Sequence, residues 1–170
     1  MIAGRAGVRS VPVPPELRAA AGLSRPDFAD AFAAPLPPGA PDDVAAWHEA
    51  LLRSSAPAWL HALMRARGVL ARLLRLHTAD LAGAGPFQVV SRTADLVVAG
   101  ADDRHLDFRV VLQVVPAAHG GRELLVVTVV QRHNAVGRAY FALVSPFHRR
   151  VVPALLRRAL RSAALPVGHG

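Results

Sequence analysis

The 170-residue chain contains no cysteine and no lysine: all 20 of its basic residues are arginine. Without cysteine there is no disulfide framework, no thiolate nucleophile and no iron–sulfur ligation. Without lysine there is no P-loop, no Schiff-base amine and no kinase-type phosphate ligand. Aromatic residues make up only 5%, which thins out the base-stacking platforms of single-strand nucleic-acid binders. No Gly-x-Ser-x-Gly elbow and no His-Glu-x-x-His pair occurs, so neither an α/β-hydrolase nucleophile nor a zincin metal site is indicated. The glycine cluster Ala82–Gln88 lacks the third glycine of a dinucleotide fingerprint and carries Pro86 where a helix should open, which makes it a loop. Apolar runs such as Leu124–Val127 fall far short of the ~20 residues of a membrane-spanning helix, and the N-terminus lacks the apolar stretch of a secretory signal. These absences lead us to expect a cytoplasmic protein with no bound cofactor, no metal and no nucleic-acid partner.

What is present is apolar and strongly basic. Hydrophobic residues make up 52% and charged residues 19%, with a formal net charge of +8. The first two values are those of a globular domain. The charge accompanies abundant Ala, Arg, Gly and Pro, a pattern of GC-rich coding, and it lacks the Lys/Arg mixture of a phosphate-binding surface. The expected organisation is one domain over residues 8–164, with flexible termini at 1–7 and 165–170.

Punctuation by turn-forming residues divides the chain. Val8–Pro14 reads as a short edge strand, because proline is tolerated at sheet edges. Gly22–Asp43 is Pro-rich and reads as irregular, although Asp27, Phe28, Asp30 and Phe32 fall at alternating places. Asp42 or Asp43 caps a helix, and Pro57 opens a second one whose apolar stripe includes Arg67. Strands follow at Pro86–Arg92, Ala94–Gly100, His105–Val115, Glu123–Gln131 and Arg138–Val144, joined by hairpin-length loops. Ser145 and Pro146 are expected to start a closing helix that Pro153 kinks. The result is α+β: an N-terminal edge strand, two short helices, and a curved antiparallel sheet wrapped around a long C-terminal helix. A twisted sheet gripping a straight helix touches it along one line, so an enclosed apolar void is expected between them, the natural seat of a small ligand.

Four pieces, PDFADAF, PAWLHALMRAR, DDRHLDFRVVL and above all TVVQRHNAVGRAYFALVSPFHRRVV, carry a resemblance over about residues 10–160. The chain resembles an uncharacterised bacterial domain family of the helix-grip superfamily (SRPBCC), which also holds START-type lipid carriers, the birch-pollen allergen and aromatic polyketide cyclases. The resemblance implies the fold and a ligand cavity between sheet and C-terminal helix. It implies no activity.

Strand alternation puts His105, Asp107 and Arg109 on one face of their strand and Phe108 on the other. A His105–Asp107 contact would orient an imidazole for acid–base work, and a solvated row of charges is the structural alternative. His148, expected in the first turn of the closing helix, opposes the helix dipole there. It calls for an acidic neighbour, with Asp107 or Glu123 as candidates, or for an anionic ligand group. Arg67 would either snorkel or pair with Asp27 or Asp30. Arg138, on the expected final strand, shares a face with Tyr140. Trp47 and Trp59 are read as core. The expected ligand-binding residues are therefore Arg67, Phe108, Thr128, Arg138, Tyr140, Phe141 and His148. Candidate acid–base groups are His105, Asp107 and His148. The function these support is binding of a small hydrophobic or aromatic molecule. The alternative is a cofactor-independent cyclase or dehydratase acting on a polyketide-like substrate in the same cavity. A third reading is a partner subunit separated from a dehydrogenase-like domain. A homodimer is compatible with all of them. On the binding and enzyme readings His148→Ala should weaken the ligand and leave the melting temperature nearly unchanged.

Overall fold

Leu124–Val130 is a run of aliphatic residues interrupted only by Thr128, and it builds the centre of the sheet. The computed structural model describes residues 7–53, 88–118 and 120–164. The elements in chain order are β1 (Arg9–Val11), α1 (Pro15–Ala20), β2 (Phe28–Pro35), α2 (Val44–Arg53), β3 (Gln88–Arg92), β4 (Leu96–Ala101), β5 (Leu106–Pro116), β6 (Arg122–Arg132) and α3 (Ala135–Ala164). The strands form one curved sheet in the order β1-β2-β6-β5-β4-β3, antiparallel at every pairing. The architecture is α+β of helix-grip form. The Pro57 helix, Trp59 and Arg67 lie outside the described residues. Among the described residues no helix is long and apolar enough to cross a membrane.

Both faces of the sheet are covered, so strands that a one-sided sheet would alternate read instead as continuous aliphatic runs. On one face Phe32, Val97, Leu112, Leu124 and Val126 pack with Trp47 of α2 and Leu156 of α3. On the other, Leu17 and Ala21 of the α1 region pack on Ala31, Val98, Val111, Val127 and Val129. The edge strand β1 is fastened by a two-pronged bond from Arg9 to Glu123, at 2.6 and 2.9 Å. That hydrogen bonding raises the Arg9 guanidinium pKa further above its ordinary value. Asp43 caps α2, its Oδ1 accepting from Ala45 N–H at 2.9 Å.

The structure departs from two sequence expectations. Gly22–Asp43 is not irregular: residues 28–35 form β2, fully paired with β6 from Phe28↔Val130 to Pro35↔Glu123. The prolines misled because their missing N–H groups argue against strands, yet Pro26 precedes β2 and Pro35 ends it. The larger correction concerns Arg138–Val144, which is helix rather than strand. The closing helix begins ten residues before Ser145 and runs unbroken past Pro146 and Pro153. Its start is set by Asn134, whose side-chain Oδ1 accepts the Gly137 N–H at 3.0 Å, an N-cap of ordinary geometry. Gly137, Phe141, Val144, His148, Val152, Leu156 and Ala159 recur three or four residues apart, and all of them are buried or half-buried. That stripe outweighs the strand propensity of Tyr-Phe-Ala-Leu-Val. Pro146 leaves the Ala142 carbonyl without its amide donor, and Ser145 Oγ approaches that oxygen at 3.5 Å.

Candidate functional site

The site is assembled where α3 crosses β2 and β6. Side chains alternate along a strand, so Phe28, Asp30 and Phe32 of β2 share the face turned to α3. In the β2–β6 register Asp30 stands directly opposite Thr128, and Thr128 opposite Val110 of β5. From α3, His148 reaches down to this row and its Nε2 lies 3.1 Å from Asp30 Oδ1. Both side chains are largely buried, 18% and 16% exposed. The Phe28 ring meets the His148 ring edge-on at 6.2 Å between centroids and the Phe141 ring at 4.7 Å. Arg132 closes the row, its guanidinium 5.5 Å from the centre of the Phe141 ring and its Nε donating to Asp27 Oδ2 at 2.8 Å.

Two buried oxygens in this row, Asp30 Oδ2 and Thr128 Oγ1, have no hydrogen-bond partner among the described residues. Each such atom costs about 1–3 kcal/mol of desolvation if left unbonded, and native interiors hold few of them. Here two sit on facing residues of neighbouring strands, whose Cβ atoms lie about 5 Å apart. The arrangement is a polar point set in an aromatic and aliphatic surround.

The predicted residues divide into those that meet here and those that do not. Thr128, Phe141 and His148 come together. Phe108, on the α3 side of β5, and Tyr140, half-buried on α3, belong to the same side of the sheet; Arg138 is exposed on α3. Arg67 lies outside the described residues. The acidic neighbour of His148 is Asp30, neither Asp107 nor Glu123. Asp107 instead pairs with His133 Nε2 at 2.9 Å and accepts the Asp103 N–H at 3.1 Å. His105 Nδ1 lies 3.1 Å from the Asn134 amide nitrogen, so His105 and Asp107 each bond a different residue of the β6–α3 turn. Arg109, expected in a row of charges, is buried and bonded to Asp102 at 2.6 Å. His148 itself is in the middle of α3 rather than at its N-terminus, so no helix-dipole penalty falls on it.

Sequence reasoning missed Asp30 as the partner and Phe28 as a wall. A signal was present: an acidic residue between two phenylalanines at alternating positions puts a carboxyl on an apolar strand face. Because Asp30 depends on His148, His148→Ala would bury an unpaired carboxyl and lower stability. The variant therefore does not report on ligand binding alone. A separate, open pocket of about 270 Å³ lies at the β5–β6 hairpin end, lined by Asp42, Asp95, Val114, Pro116 and Arg122 among others. It contains none of the predicted residues.

An α+β chain with a polar point buried under its long C-terminal helix is the class defined so far. The chain belongs to a family of proteins of unknown function (DUF2867), whose model matches residues 23–155. No curated protein and no solved structure matched the chain.

Proposed function

We propose that the protein binds a small hydrophobic or aromatic molecule between the sheet and α3, as a member of the superfamily of START-type carriers that its sequence resembles. The observation that carries this reading is the pair of unpartnered oxygens on Asp30 and Thr128 beneath His148, flanked by Phe28 and Phe141. Ligand sites combine an apolar lining with a few such orienting groups.

Titration with N-phenyl-1-naphthylamine, which fluoresces in apolar surroundings, tests it. The expected result is a saturable rise with one site per chain, together with a co-purified small molecule in native mass spectra. A linear, non-saturating rise and a spectrum of the bare chain alone would remove the reading.

The His148–Asp30 pair also favours the second reading, a cofactor-independent cyclase or dehydratase. An imidazole held by a carboxyl can take a proton from, and return it to, a substrate in the same row. A poly-β-keto thioester should then lose water to give a cyclised product, and His148→Asn should abolish the step. An unchanged product yield in that variant would rule out His148 as the base.

A further inference from the structure

We infer that the outer face of α3 docks on an anionic membrane surface, with Arg150, Arg157 and Arg161 meeting lipid phosphates and Val136, Leu143 and Phe147 entering the headgroup layer. The charge of the chain is not spread evenly along it. Residues 1–134 carry 14 arginines together with all 12 acidic residues, whereas residues 135–170 carry six arginines and no acidic residue. GC-rich coding supplies arginine but does not clear carboxylates from one helix. Five of the six arginines of α3 are exposed. None of the six has a carboxylate partner among the described residues, while six arginines earlier in the chain do. At about 3.6 residues per turn, Val136, Leu143, Phe147, Arg150, Arg157 and Arg161 fall within an arc of about 80°. That arc lies nearly opposite the buried stripe from Gly137 to Ala159. The row is about 38 Å long. Its first half is apolar yet open to solvent, with Val136 36%, Leu143 52% and Phe147 40% exposed; its second half is basic.

Charge decides what can cover this row. A second copy docking α3 against α3 would set six arginines against six. Residues 54–87 of the chain hold four arginines and one aspartate, so they bring no neutralising charge either. The complement is an anionic partner. A nucleic-acid backbone answers the arginines but leaves Val136, Leu143 and Phe147 in water. A bilayer interface takes both kinds of side chain: guanidinium groups rest on phosphates, and aliphatic and phenyl groups sink among the headgroups. No described helix is long and apolar enough to cross a membrane, so α3 would lie on the surface rather than pass through it. This face is separate from the Asp30–His148 row, and the inference stands whatever that row binds.

The test is sedimentation of the full chain with vesicles of phosphatidylcholine alone and of phosphatidylcholine mixed with phosphatidylglycerol. Binding should require the anionic lipid and weaken as salt is added. The triple variant Arg150→Gln/Arg157→Gln/Arg161→Gln should bind at least about tenfold more weakly, since each arginine near such a surface contributes about fivefold. Glutamine matches arginine in helix propensity, so this variant should fold. A control with the same change in net charge, Arg18→Gln/Arg25→Gln/Arg104→Gln, removes exposed arginines from elsewhere and should lose less than about twofold. Leu143→Ser/Phe147→Ser leaves the charge unchanged and should weaken binding at least about fivefold. Equal sedimentation with both vesicles, none with either, or an equal loss in the two arginine triples would overturn the assignment of this face. Unchanged binding by the serine variant would overturn the membrane as its partner, as would tighter binding to a DNA duplex than to the anionic vesicles in the same salt.

Discussion

Gly137→Ala is expected to destabilise the protein by about 2–4 kcal/mol, the opposite sign from helix propensity, which favours alanine over glycine by about 1 kcal/mol. The reason is a close approach of two backbones. A Cβ at position 137 would stand 1.9 Å from the His105 carbonyl oxygen and 2.8 Å from its carbon. That carbonyl cannot swing aside cheaply, because it already accepts the His133 N–H at 2.9 Å. Nor can the helix slide, since Gly137 N–H is held by the Asn134 cap. Here the turn before β5, the end of β6 and the start of α3 are fastened together, and the fastening sets where Phe141 and His148 fall over the sheet. Urea denaturation gives the measurement. A loss below about 0.5 kcal/mol, the level of an ordinary surface substitution, would mean that the crossing is looser than described. Probe binding by a folded fraction of the variant should also weaken, because the helix must move away from β2 and β6 to make room.

The second large effect is expected at Trp47. The side chain is 1% exposed and packs in the cluster that joins α2 to Phe32, Val97, Leu112 and Leu156. Its Nε1–H donates to the Pro41 carbonyl at 2.9 Å, so the buried indole leaves no polar atom unsatisfied. Trp47→Ala should cost about 3–5 kcal/mol through lost burial and the cavity left behind. Trp47→Phe retains the ring packing but abandons the Pro41 carbonyl, and should recover most of that loss while remaining about 1–2 kcal/mol below the wild type. Calorimetric melting of both variants separates the two contributions. An alanine variant within about 1 kcal/mol of the wild type would show that α2 is peripheral to the core and that Trp47 serves another purpose.

Much of the fold was legible in the residues because its signals are local. The aliphatic runs of β5 and β6 and the Gly120–Gly121 turn between them identify a hairpin from sequence alone; both glycines adopt positive φ, 86° and 82°, which glycine tolerates without strain. Asp43 before an amphipathic segment marks a helix start for the same reason. Where local signals conflicted, the reading failed. Ser145-Pro146 has the composition of a helix N-terminus, and Tyr140–Val144 that of a strand. Yet the continuous stripe from Gly137 to Ala159 needs one helix to bury it against β2, β6 and α2, and tertiary burial overrode both cues.

The functional row shows the same division more sharply. Composition and alternation by themselves determined the α+β class, the central strands, and the place of Thr128 within one of them. Only the tertiary structure decided that His148 meets Asp30, 118 residues away in the chain, that Asp107 serves the β6–α3 turn, and that Asp30 and Thr128 stand opposite each other, each with a buried oxygen unbonded among the described residues. Periodicity reports which way a side chain points within its own element. Which atoms it meets depends on strand order and on where one helix is fastened to the sheet, and those are fixed by contacts between residues that are remote in sequence.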